Sequence, residues 1–244
     1  MNFSYNRNRI TDLFLANYIS SDLLNGGYGA YVVGMDANTL WRFEYSGVQN
    51  GQPTVLGPGK APVTFTSGVP GDARTYLLNM GTTVAPYTLG FINSFKVYDF
   101  DFSFIITGKF GHVFQRKGFN YPSNRTRRVL PNSKLSEVVN GDPSKIIPLP
   151  LTPVEPLYYF WSSFHQYVSY LTESASHVRL QEVSLAYTIP QPLLKRMQLN
   201  NLQFYAQAND LYTWYKNDAK EDPEYPLGTM KPMPKLTLGL RLDF

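Results

Sequence analysis

Cysteine is absent from all 244 residues, which excludes a disulfide framework and thiolate chemistry. Long apolar runs are absent as well. No stretch approaches the roughly 18 unbroken apolar residues of a membrane-crossing helix. Charge is sparse: 16% of residues are Asp, Glu, Lys or Arg, with a net charge of +4 and a pI near 9.1. A nucleic-acid binder would carry a stronger basic footprint. The amino terminus, Met1 to Ile10, lacks the basic start and apolar stretch of a signal peptide. Phe3 and Tyr5 already alternate there with Asn2, Ser4 and Asn6, so an exported chain of this kind reads most simply as the tail of a longer one. What is abundant is Tyr, at 18, and Phe, at 16, against only 3 Trp. Such loading suits the interfacial girdles of a membrane barrel or the core of a large β domain. A mean hydropathy of −0.25 fits either, because half of every barrel strand and all of its loops are polar.

The dominant pattern has period two, which in a strand sorts side chains onto opposite faces. In the last ten residues Leu236, Leu238, Leu240, Leu242 and Phe244 alternate with Thr237, Gly239, Arg241 and Asp243. From Pro86, residues Tyr87, Leu89, Phe91, Phe95 and Val97 oppose Thr88, Gly90, Ser94 and Lys96, and only Ile92 and Asn93 break the rule. After Tyr98-Asp99, residues Phe100, Phe102, Phe104 and Ile106 oppose Asp101, Ser103, Thr107 and Lys109, so the two runs form a hairpin. A second pair follows. Val183, Leu185, Tyr187 and Ile189 run to Pro190, a short connection with a helical turn at Pro192 to Met197 intervenes, and Leu202, Phe204, Ala206 and Ala208 follow. The parity slips near Asn209-Asp210, as a β-bulge would cause.

With the two terminal segments this makes six strands. Their connections alternate strictly between short (98–99, 190–201) and long (11–85, 111–176, 214–233). Outer-membrane barrels sort their loops this way, with brief turns on one rim and extended loops on the other. The alternative is a soluble β-sandwich, such as a carbohydrate-binding module. It predicts that Leu236, Leu238, Leu240 and Leu242 are buried against another sheet. A barrel enzyme, the third possibility, would need a catalytic cluster, and none is evident. His112, His165 and His177 lie in or beside one long loop without metal-ligand spacing, and read as loop or rim residues. The acidic group Asp218, Glu221, Asp222 and Glu224 lacks the spacing of a calcium loop and reads as a solvated external loop. No G-x-S-x-G nucleophile motif is present. No cofactor or metal is expected.

Several stretches, in order along the chain, resemble the SusC/RagA-like TonB-linked outer-membrane proteins. They are Asn2-Phe-Ser-Tyr-Asn-Arg-Asn8, Tyr45-Ser-Gly-Val-Gln-Asn-Gly-Gln-Pro53, Pro86 to Ser103, Val178-Arg-Leu-Gln-Glu-Val-Ser-Leu-Ala-Tyr-Thr-Ile-Pro190, Ala208-Asn-Asp-Leu-Tyr-Thr-Trp214 and the terminal strand. Residues 111–176 match poorly. The resemblance implies an all-β fold: a partial transmembrane antiparallel β-barrel, the last six strands of roughly 22, with long extracellular loops and without the plug. It implies TonB-driven import of glycans or peptides beneath a SusD-like lipoprotein, with TonB contacted through a missing amino-terminal part, so that this stretch alone does not transport. Six strands in lipid would leave two unpaired edges, at 2–10 and 236–244. Thr237, Gly239, Leu242 and Phe244 resemble the signal read by the barrel-assembly machinery through strand addition. Tyr158, Tyr159, Trp161 and Tyr167, in an aromatic-dense stretch, are candidates for cargo contact. Arg116, Lys117, Arg125, Arg127 and Arg128, just past a strand end, are candidates for pairing with lipopolysaccharide phosphates.

Overall fold

The computed structural model describes residues 1–14, 17–26, 30–49, 52–64, 69–117, 166–226 and 229–243. In chain order its strands are β1 (Asn2–Tyr5), β2 (Thr39–Phe43), β3 (Tyr45–Gln49), β4 (Gln52–Leu56), β5 (Pro62–Thr64), β6 (Leu77–Thr82), β7 (Tyr87–Val97), β8 (Phe100–Phe110), β9 (Val113–Gln115), β10 (Thr172–Ser174), β11 (His177–Thr188), β12 (Asn201–Tyr215) and β13 (Lys235–Asp243). They fall into two compact units: residues 1–6, 85–112 and 174–244, and residues 7–84 and 113–173.

The first unit is one antiparallel six-stranded sheet, ordered β1-β7-β8-β11-β12-β13. Its strands are the aromatic and β-branched runs whose side chains suit a pleated surface. Pro86, Pro190 and Pro234 flank them, where a missing N–H costs no ladder bond. β7 and β8 pair residue for residue from Val97 with Phe100 to Tyr87 with Phe110, without a register shift. Tyr98, at the turn, takes a positive φ of 53°. Because that ladder is unbroken, Asn93 keeps its place on the apolar face and Ile92 on the polar one. The short helix Gln191–Met197 follows Pro190, with Leu194 fully buried. β1 and β13 each pair with one neighbour among the described residues, so the sheet is open. The first edge is shorter than the sequence suggests: β1 ends at Tyr5, and residues 7–10 belong to the second unit.

The expected bulge lies across β11 and β12. Their register shifts between Leu180 and Glu182, and Asp210 adopts a positive φ of 54°. β11 shifts at the same place against β8, where Gln181 is the extra residue. The consequence is large. Val183, Leu185 and Tyr187 share a parity with Arg179 and His177, so uninterrupted alternation would turn those two polar residues onto the apolar face. The bulge instead sets Arg179 and His177 opposite Thr107 and Lys109 on the polar face, and Leu180 opposite Ile106 on the apolar one.

The segment read as a bare connection over 11–85 carries a core of its own, together with residues from 113–173. Tyr18, Leu23, Trp41, Phe43, Val55, Tyr76, Leu77 and Val168 are buried together. β2 pairs with β6, and β3, β4 and β5 form a small sheet. The backbone N–H of Phe43 donates to Tyr167 O at 2.7 Å, and the Tyr167 hydroxyl donates to Asn25 Oδ1 at 2.8 Å. The strands are short and their partners distant, which hid this unit from periodicity.

Gly239 sits opposite Tyr205 on the polar side of the β12–β13 pair. A Cβ at Gly239 would lie well inside contact distance of the Tyr205 ring. The ring thus covers the glycine. Gly239→Ala is expected to destabilise the protein by about 1 kcal/mol, the low end of the cost of overpacking, because only the outer end of the part-exposed Tyr205 ring has to move. Adding Tyr205→Ala should return part of that loss. Denaturation midpoints of the unaltered protein and the two variants check this, and an unchanged midpoint in Gly239→Ala would contradict it.

Candidate functional site

The register places Tyr87, Leu89, Phe91, Phe95 and Val97 beside Phe100, Phe102, Phe104 and Ile106, then beside Val183, Leu185 and Tyr187, then Leu202, Phe204, Ala206 and Ala208, and finally the four leucines of β13. All share one face. Rings meet across it: Phe95 with Phe102 at 5.0 Å, Phe91 with Phe104 at 5.6 Å and Phe100 with Tyr187 at 4.7 Å between centroids. Tyr5 stacks on Tyr87 at 4.9 Å, and Tyr212 meets Trp214 edge-on at 4.9 Å, both at the end of the sheet where the long connections emerge. The face is open. Leu236, Leu238, Leu240 and Leu242 are 71, 72, 57 and 39% exposed. The soluble-sandwich alternative required those leucines to be buried, so it does not describe this sheet. Strands of 11 residues, tilted about 45°, cross roughly 25 Å, the height of a barrel's apolar band. No helix among the described residues is long and apolar enough to cross a membrane.

The opposite face carries charge at that same end. Lys109, His177 and Tyr215 lie in one row across β8, β11 and β12, and Thr107, Arg179 and Thr213 in the next. The connection between β12 and β13 folds back onto these rows. Arg179 Nη2 donates to both carboxylate oxygens of Asp222 at 3.2 Å and to Glu224 Oε2 at 2.9 Å. Lys109 Nζ donates to Glu224 Oε1 at 2.5 Å, and His177 Nε2 lies 3.6 Å from Oε2. Lys231 Nζ reaches Asp222 at 3.4 Å and the Tyr215 hydroxyl at 3.0 Å. Asn217 closes the first turn, its side chain bonding the backbone N–H and C=O of Glu221.

Two expectations are corrected here. Asp222 is not a solvated loop acid but is buried against Arg179; Glu224 stays open to solvent while it pairs with Lys109 and Arg179. His177, expected as a loop or rim residue, is the first residue of β11 at the sheet's end, but it is buried, with Nδ1 set 2.8 Å from Ala175 O. Burial alone would raise the Glu224 carboxyl, but Lys109, His177 and Arg179 outweigh it and hold the group below its ordinary range. His112, whose ring lies 6.2 Å from that of His177, is pushed down to about 4 by burial and then by the neighbouring His177 and Lys109. Its Nδ1 is buried without a partner.

The other candidates scatter. Thr237, Gly239 and Leu242 lie on the edge strand β13, whereas Phe244 falls outside the described residues. Tyr167 packs against the second unit's core. Tyr158, Tyr159, Trp161 and His165 fall outside the described residues, as do Arg125, Arg127 and Arg128. Lys117 is exposed, but Arg116 is buried, its N–H donating to Leu171 O at 2.8 Å. A guanidinium in that position is not presented to lipid phosphates as an exposed loop would present it. Sequence reasoning also missed Arg42, buried in the second unit, whose acceptors among the described residues are neutral, Gln115 Oε1 at 2.9 Å and Trp41 O at 2.7 Å. Burial lowers its pKa to about 10. Among the described residues no group of three or more His, Asp or Glu side chains is placed to hold a metal ion.

No family model matches this chain, and no curated protein matches it in sequence. In fold it is similar to a chain in the structure of the RagAB peptide transporter, at 19% identity and a TM-score of 0.61. It is similar also to the RagAB peptide importer in the closed-closed state, at 18% and 0.59, and in the open-open state, at 18% and 0.55. Each likeness covers 99% of this chain and 26% of the other, so the chain spans about a quarter of the length of those structures. The fold agrees with the SusC/RagA-like resemblance of the sequence.

The neutral His112 carries a pH signature. Its ordinary pKa is 6.5 and its folded value about 4. As pH falls below 6.5 the unfolded chain takes up a proton that the folded one refuses, so stability falls until about pH 4. Glu224, depressed in the folded state, contributes stability above its ordinary 4.5 that is lost at still lower pH. Denaturation midpoints measured from pH 7 to 4 should fall, and the fall between 6.5 and 4 should flatten in His112→Gln. An unaltered slope in that variant would contradict the assignment.

Proposed function

We propose that this chain is a barrel-wall portion of a TonB-dependent outer-membrane importer of peptides or glycans. One observation carries the reading: six strands present a continuous, exposed, aromatic-edged apolar face while every long connection leaves from one end. Hydrocarbon is the environment in which such a face costs nothing and an unpaired backbone costs most. The likeness in fold to the RagAB peptide transporter supports the reading and favours peptides over glycans as the cargo class.

In this reading the activity is transport, without enzymatic chemistry, and the protein resides in the outer membrane. The chain supplies about six strands of a barrel of roughly 22, with β1 and β13 pairing with strands beyond those described. The plug and the TonB contact lie in the larger protein, and this portion does not transport alone. A SusD-like lipoprotein covers the external end. Tyr158, Tyr159, Trp161 and Tyr167 are the cargo-contact candidates. Lys117, Arg125, Arg127 and Arg128 serve lipopolysaccharide phosphates, for which the buried Arg116 is the weakest candidate. Thr237, Gly239, Leu242 and Phe244 address β13 to the barrel-assembly machinery.

The test is made in cells carrying the full-length protein. Deleting its gene should abolish TonB-dependent uptake of labelled oligopeptides or oligosaccharides, and removing Phe244 alone should lower the amount of folded barrel in the outer membrane. Undiminished uptake of both cargo classes would overturn the importer reading, and full assembly without Phe244 would overturn the assembly signal.

A further inference from the structure

We infer that Lys109, His177 and Arg179 form a carboxylate-binding site on the polar face, and that Glu224 of the chain's own 216–234 connection occupies it as an internal stand-in for a ligand. The site rests on the importer reading only in that the polar face is then the one cargo meets.

Two adjacent strands supply the donors, Lys109 Nζ and Arg179 Nη2, with the buried His177 beside them. The Gln181 bulge turns Arg179 and His177 to the side of Lys109, and cross-strand pairing brings His177 directly opposite Lys109. One carboxylate then receives Lys109 Nζ on Oε1 at 2.5 Å, and Arg179 Nη2 on Oε2 at 2.9 Å, with His177 Nε2 at 3.6 Å. Charge-assisted bonds of this kind fit any carboxylate of similar reach, whichever molecule bears it.

The connection is fastened unequally. Its base is fixed: Asp222 and Arg179 are only 5 and 10% exposed along their side chains, Asn217 brackets Glu221, and Lys216 N–H donates to Ser176 O at 3.0 Å. Breaking a buried pair strands a charge, so Asp222 holds. Glu224 and Lys109 are 31 and 48% exposed, and an ion pair so open to water adds little stability. An incoming carboxylate can replace Glu224 without leaving Lys109 or Arg179 unpaired. The exchange releases Glu224 and its neighbours, while Asp222 stays tied to Arg179 and, through Lys231, to the far end of the connection.

The ligand chemistry is a carboxylate, from a peptide or from an acidic sugar. Hydrogen exchange across 216–234 in the purified full-length protein tests it, with tetra-alanine, tetra-alanine amide, glucuronate and glucose as probes. The free-acid peptide, glucuronate or both should speed exchange in residues 224–230, whereas the amide and glucose should not. Which acid acts identifies the source. Glu224→Gln should raise exchange without any probe and tighten binding of the active acid about tenfold, as expected when a competitor that holds the site most of the time is removed. Lys109→Gln should weaken binding of the same acid. The inference is overturned if acid and amide act alike, if neither acid acts, or if folded Glu224→Gln binds the acid no more tightly. Uptake in cells without any acid response would sink this site and spare the importer. An acid response in a protein that imports nothing would do the reverse.

Discussion

A strand in hydrocarbon has nowhere but its neighbours to place its backbone N–H and C=O groups, and each group left over costs several kcal/mol. Under the importer reading, that constraint organises the first unit. It explains the residue-for-residue ladder from β7 to β8, and why the polar Asn93 stays on the apolar face rather than being relieved by a local slip. It also explains why an open sheet with β1 and β13 at its edges reads as part of a larger wall. The side chains follow from it: once backbone groups are paired laterally, alternation leaves one face to oil and one to water.

The polar face depends on the one place where the ladder is allowed to shift. The bulge at Gln181 changes the parity of β11, and only after that change do Arg179 and His177 stand with Lys109 rather than on the apolar face. Three positive or protonatable groups on two strands then need counter-charge. The chain supplies it from its own Asp222 and Glu224, and a connection rich in proline is drawn inward. A backbone irregularity, an ion-pair cluster and the course of a loop are therefore one structural event.

The legible part of the sequence was the part governed by local period. Tyr87 to Phe110, Val183 to Ala208 and the final strand announced their partners and faces, because each alternation is complete within ten or so residues. The long connections were not legible for the same reason. The second unit's core joins Trp41, Val55, Tyr76 and Val168 from segments whose strands are three to six residues long, too short to establish a period. The partners of Asp222 and Glu224 were hidden because Arg179 lies 43 residues before one and Lys109 115 residues before the other. The parity of Val178 and Leu180 against Val183 was the available clue that Arg179 turns inward.

Whether the leucine face touches lipid is directly measurable. A tryptophan placed at Leu238 in the full-length protein, reconstituted in bilayers, should lose fluorescence to lipids brominated within their acyl chains, whereas one placed at Thr237 should not. Equal quenching at the two positions, or none at Leu238, would contradict a hydrocarbon-facing wall.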